Sequence, residues 1–294
     1  MPSKKSSMPH VTEETVNGRT HSYHAHASAF FADLKLPVSQ KVSQQAHASL
    51  PAEGGYFAQR SEKYRLESLI SFELARTHVT GNLSLKDGEG WSTLVTSVVE
   101  GLNVMEVVTC DRIVGQMITV HPLKGYVPRV NFLGTRFENL RIAGHPIEIE
   151  YDLNVLGSKP DNDEHYVLDS EVAERLPGAV NALKASKDIP AAMRKRYNQL
   201  SPNLGHHKDE VVCSLVKKVA GIFPGYSYGP IIVVPDFGRM TLGKVVVKHE
   251  AYRKGTKTPK KTTIKFDMID FQFGCSMDGS GTTGTGSTNG TSDP

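Results

Sequence analysis

Cysteine is scarce in this 294-residue chain: Cys110, Cys213 and Cys275 are odd in number, far apart and form no C-x-x-C. Neither a disulfide framework nor a zinc knuckle is expected, and three reduced thiols suit a cytoplasmic protein. Long apolar runs are missing too. No stretch approaches the roughly 18 uninterrupted apolar residues of a membrane span. The N-terminus MPSKKSSMPHVTEETVNGRTHSYHAH starts basic but lacks the apolar core of a Sec signal. The expected location is therefore cytoplasmic, with export by a route that reads no such signal as the alternative. An excess of one charge is also absent, since 34 Lys and Arg face 31 Asp and Glu for a formal +3. That balance disfavours nucleic acid as a partner and leaves the protein itself or another protein.

What the chain does contain is alternation. Residues 90–155 are dense in β-branched residues and turn signals, and Ile147, Ile149, Tyr151, Leu153 and Val155 alternate there with Glu148, Glu150, Asp152 and Asn154. One face of such a strand is buried and the other wetted. Tyr64, Leu66, Ile70, Phe72 and Leu74 share a face in the same way, and His21–Leu36 reads as an earlier strand. The pieces EGLNV (100–104) and ENLRI (138–142) look alike at an interval of 38 residues. Equal meander units explain this without a duplication.

After a break at 157–165, Val172, Leu176, Val180 and Leu183 recur at helical spacing, and Asp188 can cap a second helix. A helical insertion is expected at about 168–200. Arg239–Tyr252 and Thr262–Phe273 then read as a hairpin whose tip carries Arg253, Lys254, Lys257, Lys260 and Lys261. In its second arm the inward phase passes from Ile264, Phe266 and Met268 to Ile269, Phe271 and Phe273, which predicts a β-bulge. Residues 276–294 are Gly, Ser and Thr rich and are expected to remain disordered, as are residues 1–20. The expected architecture is one mainly β domain over 21–275, an antiparallel β-sandwich or jelly-roll-like fold with the helical insertion.

Motifs are few. Gly225-Tyr226-Ser227-Tyr228-Gly229 matches the G-x-S-x-G nucleophile elbow, but Pro224 and Pro230 flank it and no helix follows, so it reads as a β-turn. Gly279, Gly281 and Gly284 satisfy G-x-G-x-x-G without the helix a dinucleotide site needs. His24 and His26 point to one side of a strand and form the candidate metal pair, with His21, His47 or His78 as third ligand. Ligand-rich groups also surround His206, His207 and Asp161–His165. The acidic face Glu148, Glu150 and Asp152 is a candidate for paired carboxylates, and the five basic residues of the hairpin tip are candidate anion or partner contacts.

SVVEGLNVMEVVTCDRIVGQMITVHP, VNFLGTRFENLRIAGHPIEIEYDL and TIKFDMIDFQFGCSMDG resemble a set of uncharacterised bacterial proteins of similar length, over about Tyr23 to Gly279. That resemblance carries no activity, cofactor or catalytic residue. A more distant likeness is to bacterial β-sandwich surface proteins; this chain lacks their exported N-terminus, so the likeness bears on the sandwich alone. The expectation is a non-enzymatic binding or assembly protein without a cofactor. The competing class is a small-molecule enzyme or ligand-binding protein with a His-lined site, with or without a metal.

Overall fold

Period-two burial builds long strands when polar and apolar residues alternate without a break, and that is how most of the chain is organised. The computed structural model describes residues 15–16, 19–35, 39–84, 90–158, 163, 166, 205–207, 210–252, 254–256, 259–274 and 279–293. The first strands are β1 (Thr15–Val16), β2 (Arg19–Ser22), β3 (Ala25–Leu34), β4 (Gln40–Gln45) and β5 (Ala48–Ser49). Four long ones follow: β6 (Gly55–Leu66), β7 (Ile70–Ser84), β8 (Gly90–Val104) and β9 (Val108–His121). Next come the short β10 (Arg129–Asn131), β11 (Arg136–Glu138), β12 (Arg141–Ile142), β13 (His145–Pro146) and β14 (Glu148–Tyr151). The last group is β15 (Gly205–His207), β16 (Glu210–Ser214), β17 (Val216–Ala220), β18 (Tyr226–Tyr228), β19 (Ile231–Val234), β20 (Gly238–Tyr252), β21 (Pro259–Phe273), β22 (Gly279–Thr288) and β23 (Thr291–Asp293).

All pairings are antiparallel. One sheet runs β4–β3–β22–β21–β20, with β16 and β19 beyond β20. The other runs β6–β7–β8–β9, and β10, β11 and β12 continue along the far edge of β9. Strands β3, β21 and β22 pack over β7, β8 and β9, so the fold is the expected antiparallel β-sandwich. Its core holds Phe30, Phe72, Trp91, Val95, Phe266 and Phe271, each no more than 2% exposed. The expected helical insertion at 168–200 lies outside the described residues.

The C-terminal segment corrects the expectation of disorder. β22 is an interior strand, paired with β21 on one side and β3 on the other. Its small residues suit the place. A Cβ at Gly286 would meet Val95 Cγ1 at 2.5 Å, so the sheets approach closely there. Buried hydroxyls find partners: Thr283 Oγ1 donates to Ala29 O at 3.1 Å and Thr285 Oγ1 to Asp267 Oδ1 at 2.7 Å. Ladder hydrogen bonds and sheet contact replace the apolar side chains this segment lacks. At the other end, residues 15–16 and 19–20 of the segment expected to be flexible lie in β1 and β2, and β2 pairs with β23.

The phase slip in β21 is real, but it is not a bulge. Pairs Lys244 with Asp267 and Leu242 with Ile269 bracket it with no residue added. The neighbouring strands slip in the same row instead. Gly243 (φ +58°), Gly284 (φ +64°) and Ala46 (φ +46°) occupy alternate strands of that row, around Met268 and Ala29. The second sheet has its own row: Lys63 (φ +38°), Gly101 (φ +65°) and Asn139 (φ +54°) alternate with Glu73 and Asp111. Along β8 the inward residues change from Trp91, Val95 and Val99 to Leu102 and Val104 at this row. A left-handed residue turns two successive side chains toward one face, which resets the alternation without changing register.

This row also accounts for the likeness of EGLNV and ENLRI. In each, a Glu precedes a left-handed residue and a buried Leu, Leu102 or Leu140. EKYRL begins at position 62, EGLNV at 100 and ENLRI at 138, so all three recur at the same interval. They lie side by side on β6, β8 and the β11–β12 segment, one hairpin period apart.

The Ile147–Val155 alternation yields only the four-residue β14, paired with β17 in a separate two-stranded ribbon. Its apolar face is half-buried because it packs at the margin of the core. β8 runs unbroken from Gly90 to Val104, and β9 begins at Val108.

Candidate functional site

His24 and His26 both keep exposed surface, and no third metal-ligating side chain groups with them among the described residues. His24 lies between β2 and β3 and shares a hydrogen bond with Ser22 Oγ at 3.1 Å. His26 has its ring 6.1 Å from that of His47. Burial, then the His47 and Lys265 charges, holds His26 below the usual imidazole range. His21 is elsewhere, stacked on Trp91 at 5.0 Å and 4.9 Å from His121 within the core. Among the described residues no three His, Cys, Asp or Glu side chains group as metal ligands.

The hairpin of β20 and β21 forms as expected, with Tyr252 opposite Pro259. Arg253 and Lys257 lie outside the described residues. Lys254 is exposed in the turn, as is Lys260 at the start of β21, while Lys261 Nζ lies 3.4 Å from Glu250, which also holds Lys248 at 2.7 Å. The Lys248 hydrogen bond draws the Glu250 carboxyl below its ordinary range. Part of the basic charge is thus neutralised within the hairpin. On β14, Glu150 pairs with Lys217 at 2.6 Å, so the acidic face meets lysine rather than a second carboxylate. Residues Tyr226–Tyr228 of the G-x-S-x-G run are the strand β18, with the turn at 229–230; Ser227 Oγ donates to Val219 O at 3.3 Å. The glycines of G-x-G-x-x-G lie on β22.

What the tertiary structure does assemble is a trough on the face of the second sheet turned away from the core. Antiparallel register places Arg60, Arg76, Val98, Val114 and Arg136 in one row across β6, β7, β8, β9 and β11. The row on one flank is Glu62, Leu74, Glu100, Arg112 and Glu138. Its carboxylates anchor the arginines: Glu100 takes Arg76 at 2.6 Å and Arg112 at 3.6 Å, and Glu138 takes Arg136 at 2.7 Å. The opposite flank, Ala58, His78, Thr96 and Gln116, carries no carboxylate. Tyr56 stacks over His78 at 6.1 Å and closes one end. Burial in this trough lowers the His78 pKa. The cavity measures about 720 Å³, within the range of ligand sites.

Sequence reading passed over these arginines because each looks like an ordinary polar-face residue of its own strand. Only the pairing of five strands brings them together.

β6 is the other prominent feature of this face. It ends its sheet, pairs only with β7 among the described residues, and exposes Tyr56 by 69% and Phe57 by 43%. Among the described residues no helix is long and apolar enough to cross a membrane.

No curated protein matches the chain. The family described as a domain of unknown function, DUF8256, matches residues 21–248. The match spans β3 to most of β20 and stops short of β21 and β22. Since it covers well over half of the sequence, the chain belongs to the DUF8256 family.

Proposed function

We propose that the protein is a non-enzymatic assembly protein that joins a second copy of itself through the free edge of β6. The observation that supports this is β6 itself, twelve residues long, at the end of its sheet and exposed along most of its length. An edge strand presents a row of main-chain donors and acceptors that another strand can extend. Its charges are of mixed sign, so it does not repel its own kind. An antiparallel copy centred on Ser61 sets each Arg60 against the other copy's Glu62, a complementary arrangement across the two-fold axis. Tyr56 and Phe57 add apolar area near one end of the strand.

Light scattering over a range of concentrations tests this reading. A dimer that the double substitution Tyr56→Lys/Phe57→Lys converts to monomer is the expected result. A strictly monomeric wild type at high concentration overturns it. The competing reading places a small-molecule or metal site at His24 and His26 with nearby acids. No third metal-ligating side chain groups with them among the described residues, short of the three or four protein ligands zinc takes.

A further inference from the structure

The trough on the outer face of the second sheet shares Tyr56, Ala58 and Arg60 with β6 but has a chemistry of its own, apart from the main-chain edge. Four guanidinium groups line it, against three carboxylates that all lie on one flank. Those carboxylates hold Arg76 and Arg136 from one side and flank Arg112 within their own row, which fixes the guanidinium groups in place. The other side of the arginine row faces hydroxyl, amide and imidazole groups, all able to share a trough with an anion. Between Arg76 and Arg136 the floor is Val98 and Val114, both largely covered, at 9% and 6% exposure. The site thus has cations at its two ends and a valine floor between them, with Arg112 along one flank.

We propose that this trough binds an organic anion with two acidic groups on an apolar body. Three strand spacings separate the Arg76 and Arg136 backbones, about 14 Å, and both side chains are long enough to lean inward over the floor. Each guanidinium can take a carboxylate or sulfonate in a bidentate contact, stronger than a neutral hydrogen bond. The apolar body covers the two valines and stacks toward Tyr56 and His78. A single compact anion such as sulfate would satisfy one end and leave the other guanidinium and the exposed Tyr56 ring untouched, so size and apolarity are part of the recognition.

Isothermal titration with biphenyl-4,4′-dicarboxylate is the test, with biphenyl-4,4′-dimethanol as the uncharged control and inorganic sulfate as the compact one. The wild type should bind the dicarboxylate more tightly than either control, and more weakly as salt is raised. Arg76→Gln and Arg136→Gln should each weaken binding about ten-fold or more, with melting curves recorded to verify folding. Arg60→Gln, at a side chain 61% exposed, provides a variant that leaves the core untouched and should also weaken binding. Absence of binding by the wild type, equal binding of the diol, or indifference to all three substitutions would overturn the proposal. The oligomeric state recorded for the wild type, Arg76→Gln and Arg136→Gln, whose substitutions lie off β6, separates this outcome from that of β6 pairing.

Discussion

Tyr166 donates its backbone N–H to Nε2 of His249 across 3.2 Å, in the buried interior. Because Nε2 accepts, the ring proton sits on Nδ1 and donates to Thr262 Oγ1 at 3.0 Å. Tyr166 O–H in turn donates to Pro128 O at 2.8 Å. One residue of the segment between β14 and β15 is thereby held to both β20 and the loop before β10.

Substitution His249→Leu removes the acceptor of a buried N–H and should cost about 1–3 kcal/mol, whereas Tyr166→Phe gives up the bond to Pro128 and should cost about 1 kcal/mol. Urea denaturation of the two variants measures the order. A reversed order would mean that the Pro128 contact, not the histidine, anchors this point.

Gly284 sits in the left-handed row, and a Cβ there would lie 2.7 Å from Met268 Cγ. Gly284→Ala combines a backbone penalty with overpacking of a full core and should lose roughly 2–5 kcal/mol. Gly255→Ala is the control, since φ is +75° but nothing lies within 4 Å. It should lose only the backbone part, about 1–2 kcal/mol. Similar losses in the two would argue against steric conflict at Met268.

Deleting residues 276–294 should abolish cooperative unfolding, because β22 fills the space between β3 and β21. Without it both neighbours become unsatisfied edges and the core is opened along one strand. Circular dichroism with a thermal melt checks this. A truncated chain that melts cooperatively near the full-length temperature would remove β22 from any structural role.

His26 and His78 both titrate below the ordinary value of 6.5 in the folded chain, chiefly through burial. Between those depressed values and about 6.5 the unfolded chain binds more protons, so stability rises with pH through this window. The contribution is complete above pH 6.5 and is lost as pH falls toward the folded values. His26→Gln and His78→Gln should each flatten the dependence of the denaturation midpoint on pH between 5 and 7. An unchanged slope in the double variant would assign the acid sensitivity to other groups.

Alternation marked the arms of β20 and β21, because a half-buried strand writes its two faces into consecutive residues, but it joined Tyr64, Leu66, Ile70, Phe72 and Leu74 into one face where the chain turns at Glu67–Leu69 between β6 and β7. The same logic failed for β22. A strand interior to a sheet can be built from Gly, Ser and Thr when its neighbours supply the apolar area and its own smallness lets the sheets meet. It failed in a second way at Met268, where one strand's phase slip looked like an inserted residue. Only the pairing showed that Gly243 and Gly284 slip with it.

The candidate site was less legible than the fold. Arg60, Arg76 and Arg136 lie on three strands, and no interval in the chain marks them as neighbours. The histidines, prominent in the sequence, disperse to an edge contact, a core stack and an outer face. By itself the sequence determined the β class and the hairpin of β20 and β21, since each depends on local periodicity. The tertiary structure alone decided the place of β22, the two left-handed rows and the arginine trough, because register between strands is a long-range property that no single stretch of chain encodes.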